Sequence, residues 1–215
     1  MSDSDQLHGG QPVLTAGAPV SQARVGVVLV HGRGASAADI LSLAAEFQQP
    51  AAAYWAPQAA NNTWYPYRFM EPLASNEPWL SSALAKVGAV LAQVAAAGLP
   101  PEKTVLLGFS QGACLATEYA ARHAQRYGGV VGFSGGLIGP DGTPRDPAGS
   151  LAGTPVFLGC SDVDPHIPAQ RVEHSAAVLE KLGGAVTARL YKNMAHTVNG
   201  DEVRWVQALL AELAT

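Results

Sequence analysis

The chain has 215 residues, 48% of them apolar and only 14% charged, with a formal net charge of −4. That length supports one sizeable core and is short for two, and the apolar share excludes an intrinsically disordered chain. An acidic balance with no Lys/Arg block gives nucleic-acid binding no electrostatic basis, and the polar residues 1–12 lack the basic start and apolar core of a signal peptide.

In chain order, Pro12-Val13-Leu14-Thr15 reads as an edge strand. Residues 25–30 (VGVVLV) form a continuous apolar run, as expected at the centre of a parallel sheet. Tyr54-Trp55-Ala56 before Pro57 reads as a short strand. Leu80, Leu84, Val87, Leu91 and Val94 recur at helical spacing, and that helix stops before Gly98. The longest apolar stretch, 84–99, is broken by Lys86, Gly88, Gln93 and Gly98 and is too short to insert stably in a membrane. A strand at 104–107 precedes a helix from Gln111 to about Arg126. Two buried strands follow at 129–133 and 155–158. A helix over 171–182 ends at Gly183-Gly184, a strand covers 186–191, and a helix over 202–213 closes the chain.

Strands separated by helices predict an α/β fold with a mainly parallel central sheet flanked by helices and no separate lid domain. Residues 1–22 are an N-terminal segment and 23–215 the single domain. Two irregular stretches, 61–78 and 135–154, both follow strands, so both are placed to line a crevice at the strand ends. Cys114 and Cys160 sit in apolar surroundings and are expected to be buried free thiols, which together with the lack of a secretory signal points to the cytoplasm.

The run Gly108-Phe109-Ser110-Gln111-Gly112 carries the most chemistry. A G-x-S-x-G element between a strand and a helix has the form of a nucleophile elbow, a sharp turn that lifts a serine hydroxyl above a sheet. An ordinary Gly-containing strand–helix turn is the bland alternative. A serine nucleophile needs a base and an acid, in the chain order Ser, Asp or Glu, His. Of the histidines after Ser110, His123 and His174 fall in helices. His196 lies in the loop between the last strand and the last helix, where a base can swing over the serine. The acid belongs after the 155–158 strand, where Asp162 and Asp164 both stand. Asp164 precedes Pro165, which stiffens its turn, and Asp162 is placed to brace it. Oxyanion donors are expected from the backbone N–H of Gln111, the residue after the nucleophile, and of Arg33 in the His31-Gly32-Arg33-Gly34 turn. His31 precedes the serine and is read as ordering that turn.

The segments V-H-G-R-G, G-F-S-Q-G, S-D-V-D-P-H-I-P and N-M-A-H, in this order on these elements, resemble the carboxylesterase/phospholipase branch of the α/β-hydrolase fold. That branch includes the acyl-protein thioesterases, and the resemblance runs from Val25 onward. The family's Asp-Pro-x-Val/Ile-Pro sequence places the acid at Asp164. The chain departs from the family at Cys160-Ser161, where His-Gly is common, and at residues 61–66, where many members carry a different Trp-containing loop.

Seven aromatics crowd residues 54–79, in a Pro-broken loop unlike a regular core stripe. Trp64 and Tyr65, with Ile167 from the acid loop, are expected to form an apolar wall beside the serine. A satellite cluster pinning a long loop, or a homodimer contact, are the other readings of the same aromatics. The reaction these residues imply is hydrolysis of a small-molecule carboxylic ester with short to medium acyl chains, through Ser110, His196 and Asp164, without metal or organic cofactor. The alternatives are a lysophospholipase or acyl-protein thioesterase acting on long chains, and a binding protein on a hydrolase scaffold.

Overall fold

Four apolar runs, β2 (Val25–Val30), β4 (Thr104–Phe109), β5 (Gly129–Phe133) and β6 (Pro155–Ser161), lie side by side as the parallel centre of one sheet in the computed structural model, which describes residues 6–145 and 148–215. Almost every residue in them is buried, which is why they read as unbroken apolar runs rather than as alternating ones. With β1 (Val13–Gly17), β3 (Ala52–Pro57) and β7 (Ala185–Tyr191) the sheet runs β1-β3-β2-β4-β5-β6-β7. Every pairing is parallel except β1 with β3, where Val13 stands opposite Pro57. Of the N-terminal segment 1–22, residues 1–5 lie outside the described residues, and the expected edge strand is β1.

Among the described residues, seven α-helices cover the two faces: α1 (Gln6–Gly9), α2 (Ala37–Leu41), α3 (Leu43–Glu46), α4 (Trp79–Ala96), α5 (Gln111–Arg122), α6 (Ala169–Lys181) and α7 (Gly200–Leu213). Alternate residues of each strand feed two separate cores. Val28 and Val30 pack with Leu80 and Val87 of α4, Leu115 of α5 and Leu179 of α6. Val27 and Leu29 pack with Ile40 of α2 and Val206 and Leu210 of α7. Helix α4 is long and apolar enough to cross a membrane by length and composition, but its apolar stripe, Leu80, Ala83, Val87, Val90 and Val94, is buried in the first core.

Several elements differ from the sequence expectations, most of them by one to three residues at an end. α2 and α3 occupy residues the hydrophobic pattern leaves blank. α2 is capped by Ser36, whose side chain accepts from the Asp39 N–H while Asp39 reaches back to the Ser36 N–H. α5 ends at Arg122 rather than near Arg126. The buried Tyr127 turns the chain inward, and its hydroxyl donates 2.7 Å to the His123 carbonyl at the helix end. α7 starts earlier, at Gly200, because Asn199 makes a capping box with Glu202.

Candidate active site

Ser110 stands between β4 and α5 with φ 54° and ψ −120°, a backbone conformation that costs an L-residue of order 1–3 kcal/mol. The two elbow glycines allow it. A Cβ on Gly108 would strike the Gly112 carbonyl, and one on Gly112 would strike the Val30 and His31 carbonyls at the end of β2. Helix α5 therefore starts in direct contact with the strand end that carries the His31–Gly34 turn. The Ser110 N–H is tied to the Phe133 carbonyl of β5 at 2.9 Å.

The Ser110 Oγ lies 2.9 Å from His196 Nε2, and His196 Nδ1 lies 2.7 Å from Asp164 Oδ2. An ionised carboxylate only accepts, so Nδ1 carries the proton and Nε2 is free to accept from the serine hydroxyl. The His196 ring rests on Phe109 at 5.0 Å and meets the edge of His166 at 4.9 Å. Asp164 has a fully buried side chain. Burial alone would push its carboxyl up. The His196 hydrogen bond and the N–H groups of His166 and Ile167 on Oδ1, at 2.8 and 3.0 Å, outweigh burial and leave it below its ordinary value. Asp162 points elsewhere: its Oδ1 accepts from the Asn193 N–H at 2.8 Å, and its own N–H donates to the Tyr191 carbonyl. It thereby ties the acid loop after β6 to the base loop after β7.

Across the serine, the Arg33 and Gln111 amides donate to no acceptor among the described residues. Gly32 brings its turn against the elbow, since a Cβ there would lie 3.4 Å from the Ser110 Cβ. His31 orders this turn from below. Its Nε2 accepts from the Ala59 N–H at 3.1 Å, so Nδ1 is the protonated nitrogen and donates to the Gly32 carbonyl at 2.8 Å. Burial holds the imidazole below its ordinary pKa and keeps it neutral.

A cleft of about 1040 Å³ opens over Ser110 and His196. Residues 65–71 form one wall and residues 164–168 the other, and Tyr65 and Ile167 are among the lining residues. Trp64 does not. It is fully buried beneath the His31–Gly34 turn, its indole N–H donating 2.8 Å to the His31 carbonyl and its ring beside His31 and His8. A buried indole requires one acceptor, and the strand-end carbonyl supplies it. Of the two irregular stretches, 61–78 forms the wall, whereas none of the described residues of 135–154 lines the cleft. That stretch backs the wall instead, through the Gly139 N–H to the Phe69 carbonyl at 2.7 Å.

Two side-chain contributions go beyond what the sequence motifs carry. His8 is fully buried, accepting from the Ala60 N–H and donating to the Trp64 carbonyl. Gln111 presents its side chain as well as its backbone. Its Oε1 accepts from the Trp64 N–H at 2.9 Å and its Nε2 donates to the Tyr65 carbonyl at 2.8 Å. Both Cys114 and Cys160 are free and buried, and burial pushes each thiol up to about 12.

Comparison with known proteins places the chain in a family and a fold. A model of the phospholipase/carboxylesterase family matches residues 14–214. A crystal structure of a phospholipase/carboxylesterase from Dyadobacter fermentans is 44% identical with a TM-score of 0.90, covering 94% of this chain and 97% of that one. The esterase PE8 structure is 25% identical with a TM-score of 0.75, over 94% of this chain and 98% of its own. The α/β-hydrolase fold expected from the motifs is thus the fold observed. Acyl-protein thioesterase 1 of Gibberella zeae is 33% identical over 116 residues, which is 53% of this chain and 49% of that protein. The Saccharomyces cerevisiae protein of the same name is 30% identical over 49% of the chain and 48% of its own length. The chain spans about half the length of these relatives.

Proposed function

The chain belongs to the phospholipase/carboxylesterase family, and from that premise we propose that it is a serine hydrolase of carboxylic esters with short to medium acyl chains. The observation that carries this reading is the unbroken relay from Ser110 Oγ through His196 to Asp164 at 2.9 and 2.7 Å. His196 Nε2 takes the Ser110 proton as Oγ attacks the ester carbonyl, and Asp164 stabilises the imidazolium that forms. The Arg33 and Gln111 amides receive the oxyanion, each lowering the barrier by about 3 kcal/mol. His196 then protonates the departing alcohol, and a water activated by the same imidazole releases the acyl group. Two buried free thiols suit a reducing compartment, which supports a cytoplasmic location.

A second reading, long acyl chains on a lipid or thioester, is favoured by the size of the cleft and by Tyr67 and Met70, which are 59% and 38% exposed at its edge. Hydrolysis of p-nitrophenyl esters from acetyl to palmitoyl, with Ser110→Ala alongside, separates the two. A maximum at short chains that vanishes in the variant supports the proposal. Rates rising toward palmitoyl favour the second reading. Equal turnover by the variant, or a wild-type Ser110 that a fluorophosphonate does not label, would overturn the serine mechanism.

A further inference from the structure

Arg33 enters the mechanism above only through its backbone, yet its side chain makes three hydrogen bonds of its own at the site. Nη1 donates to the Pro66 carbonyl at 2.9 Å, and Nη2 donates to the carbonyls of Tyr65 at 2.9 Å and Tyr67 at 2.8 Å. Three consecutive carbonyls held by one head group require the planar, multi-donor guanidinium; an ammonium lacks that fork. The Tyr65 carbonyl is shared, because Gln111 Nε2 also donates to it. Gln111 Oε1 takes the Trp64 N–H, and the Gly34 N–H donates to the Asn62 carbonyl at 2.7 Å. Residues 62–67 thus form a strap. The two residues whose amides are assigned to the oxyanion both reach across with their side chains and grip the same peptide of it.

This bridge answers a physical problem. Arg33 follows β2 and Gln111 opens α5, so their amides belong to different elements. Oxyanion donors work only if their spacing is preorganised before charge develops. The Arg33 N–H donates to no acceptor among the described residues, and exposed turns wander unless tied. We propose that the Arg33 guanidinium is a positioning residue: by binding the 65–67 carbonyls opposite Gln111, it sets the separation of the two oxyanion amides. Tyr65 and Tyr67, on the gripped segment, also line the cleft, so substrate seated against that wall presses on the same strap. The proposal rests on the Ser110 reading and fails separately from it.

The test uses full-length Arg33→Met and Arg33→Lys proteins with the wild type and Ser110→Ala, each checked for its melting temperature. Arg33→Met is expected to lower kcat about 30–100-fold with KM within about threefold, because a displacement near 1 Å suffices for that loss. The inhibition constant of a trifluoromethyl ketone, which forms a tetrahedral adduct on the serine, is expected to rise by the same factor. Arg33→Lys keeps charge and stem and is expected to lose nearly as much. If Arg33→Met does not fold, the lysine variant carries the test, and added guanidinium at low millimolar concentration should restore part of its kcat where tetramethylammonium does not. Unchanged kcat in either variant, or a loss confined to KM, overturns the positioning role while wild-type turnover and its absence in Ser110→Ala leave the serine reading standing. No turnover by the wild type would instead strike that reading itself.

Discussion

Both carboxylate oxygens of Asp164 are engaged, Oδ2 by His196 and Oδ1 by two backbone N–H groups. Asp164→Asn keeps the volume and presents an amide that can donate to Nδ1, stabilising the wrong imidazole tautomer. A drop in kcat of roughly 10⁴-fold with an unchanged circular-dichroism spectrum is the expected result. The lowered pKa also fixes a sign. Stability from this group is complete above the ordinary carboxylate range and is lost only as pH falls through the lower folded value. Glu202 behaves in the opposite way. It is fully buried, with Oε2 accepting from Asn199 and Oε1 lacking a partner among the described residues. Burial pushes its carboxyl from 4.5 up to about 7. Between those values only the unfolded chain releases the proton, so stability falls as pH rises through this window and the cost persists above it. Glu202→Gln removes the titration. Urea unfolding should show the variant gaining on the wild type by roughly 2 kcal/mol between pH 5 and pH 8; a constant difference would refute this.

At the scale of elements, the contact between the start of α5 and the end of β2 decides whether the site assembles. A Cβ on Gly112 meets backbone carbonyls, which cannot swing aside as a side chain would. Gly112→Ala is expected to destabilise the fold by about 3 kcal/mol or more, read from the denaturant midpoint. The elbow was legible because its cause is local: two glycines, a strand before and a helix after. β2, β4, β5 and β6 were legible because burial on both faces forces continuous apolar runs. α2 and α3 were not, since they span only five and four residues and carry little periodicity, although Ser36 and Asp39 held the capping signal. Trp64 was misplaced for a different reason. Aromatic crowding reports that a loop is packed but not which side of it faces the cleft, and the acceptor that buries the indole, the His31 carbonyl, is 33 residues away in sequence. The Arg33 and Gln111 side-chain contacts were equally invisible, being bonds to backbone atoms of a segment no local pattern positions.

Across the whole molecule, the N-terminal residues are wired into the site from beneath. β1 extends the sheet beside β3, and α1 packs on α4, where Lys86 donates to the Gly9 and Gln11 carbonyls. This arrangement seats His8 under the strap, between the Ala60 N–H and the Trp64 carbonyl. Burial lowers the pKa of His8, as it does for His31 on the other side of Trp64. In each ring one nitrogen accepts a backbone N–H, so neither can take a second proton without losing that bond. Below about pH 6.5 the unfolded chain gains these protons and the folded chain does not, so stability falls as pH drops, until it reaches the lowered folded values. His8→Gln supplies an acceptor and a donor but no titration. Relative to the wild type it should be less stable at pH 8, by about 1–2 kcal/mol for imperfect hydrogen bonds, and should lose less on going from pH 7 to pH 5. Because His8 reaches Ser110 only through the strap and the Gln111 side chain, a fall in ester hydrolysis in this variant should appear in kcat. A parallel stability loss at both pH values would mean that burial does not hold the His8 pKa down and that the ring takes up its proton as readily in the folded protein as in the unfolded chain.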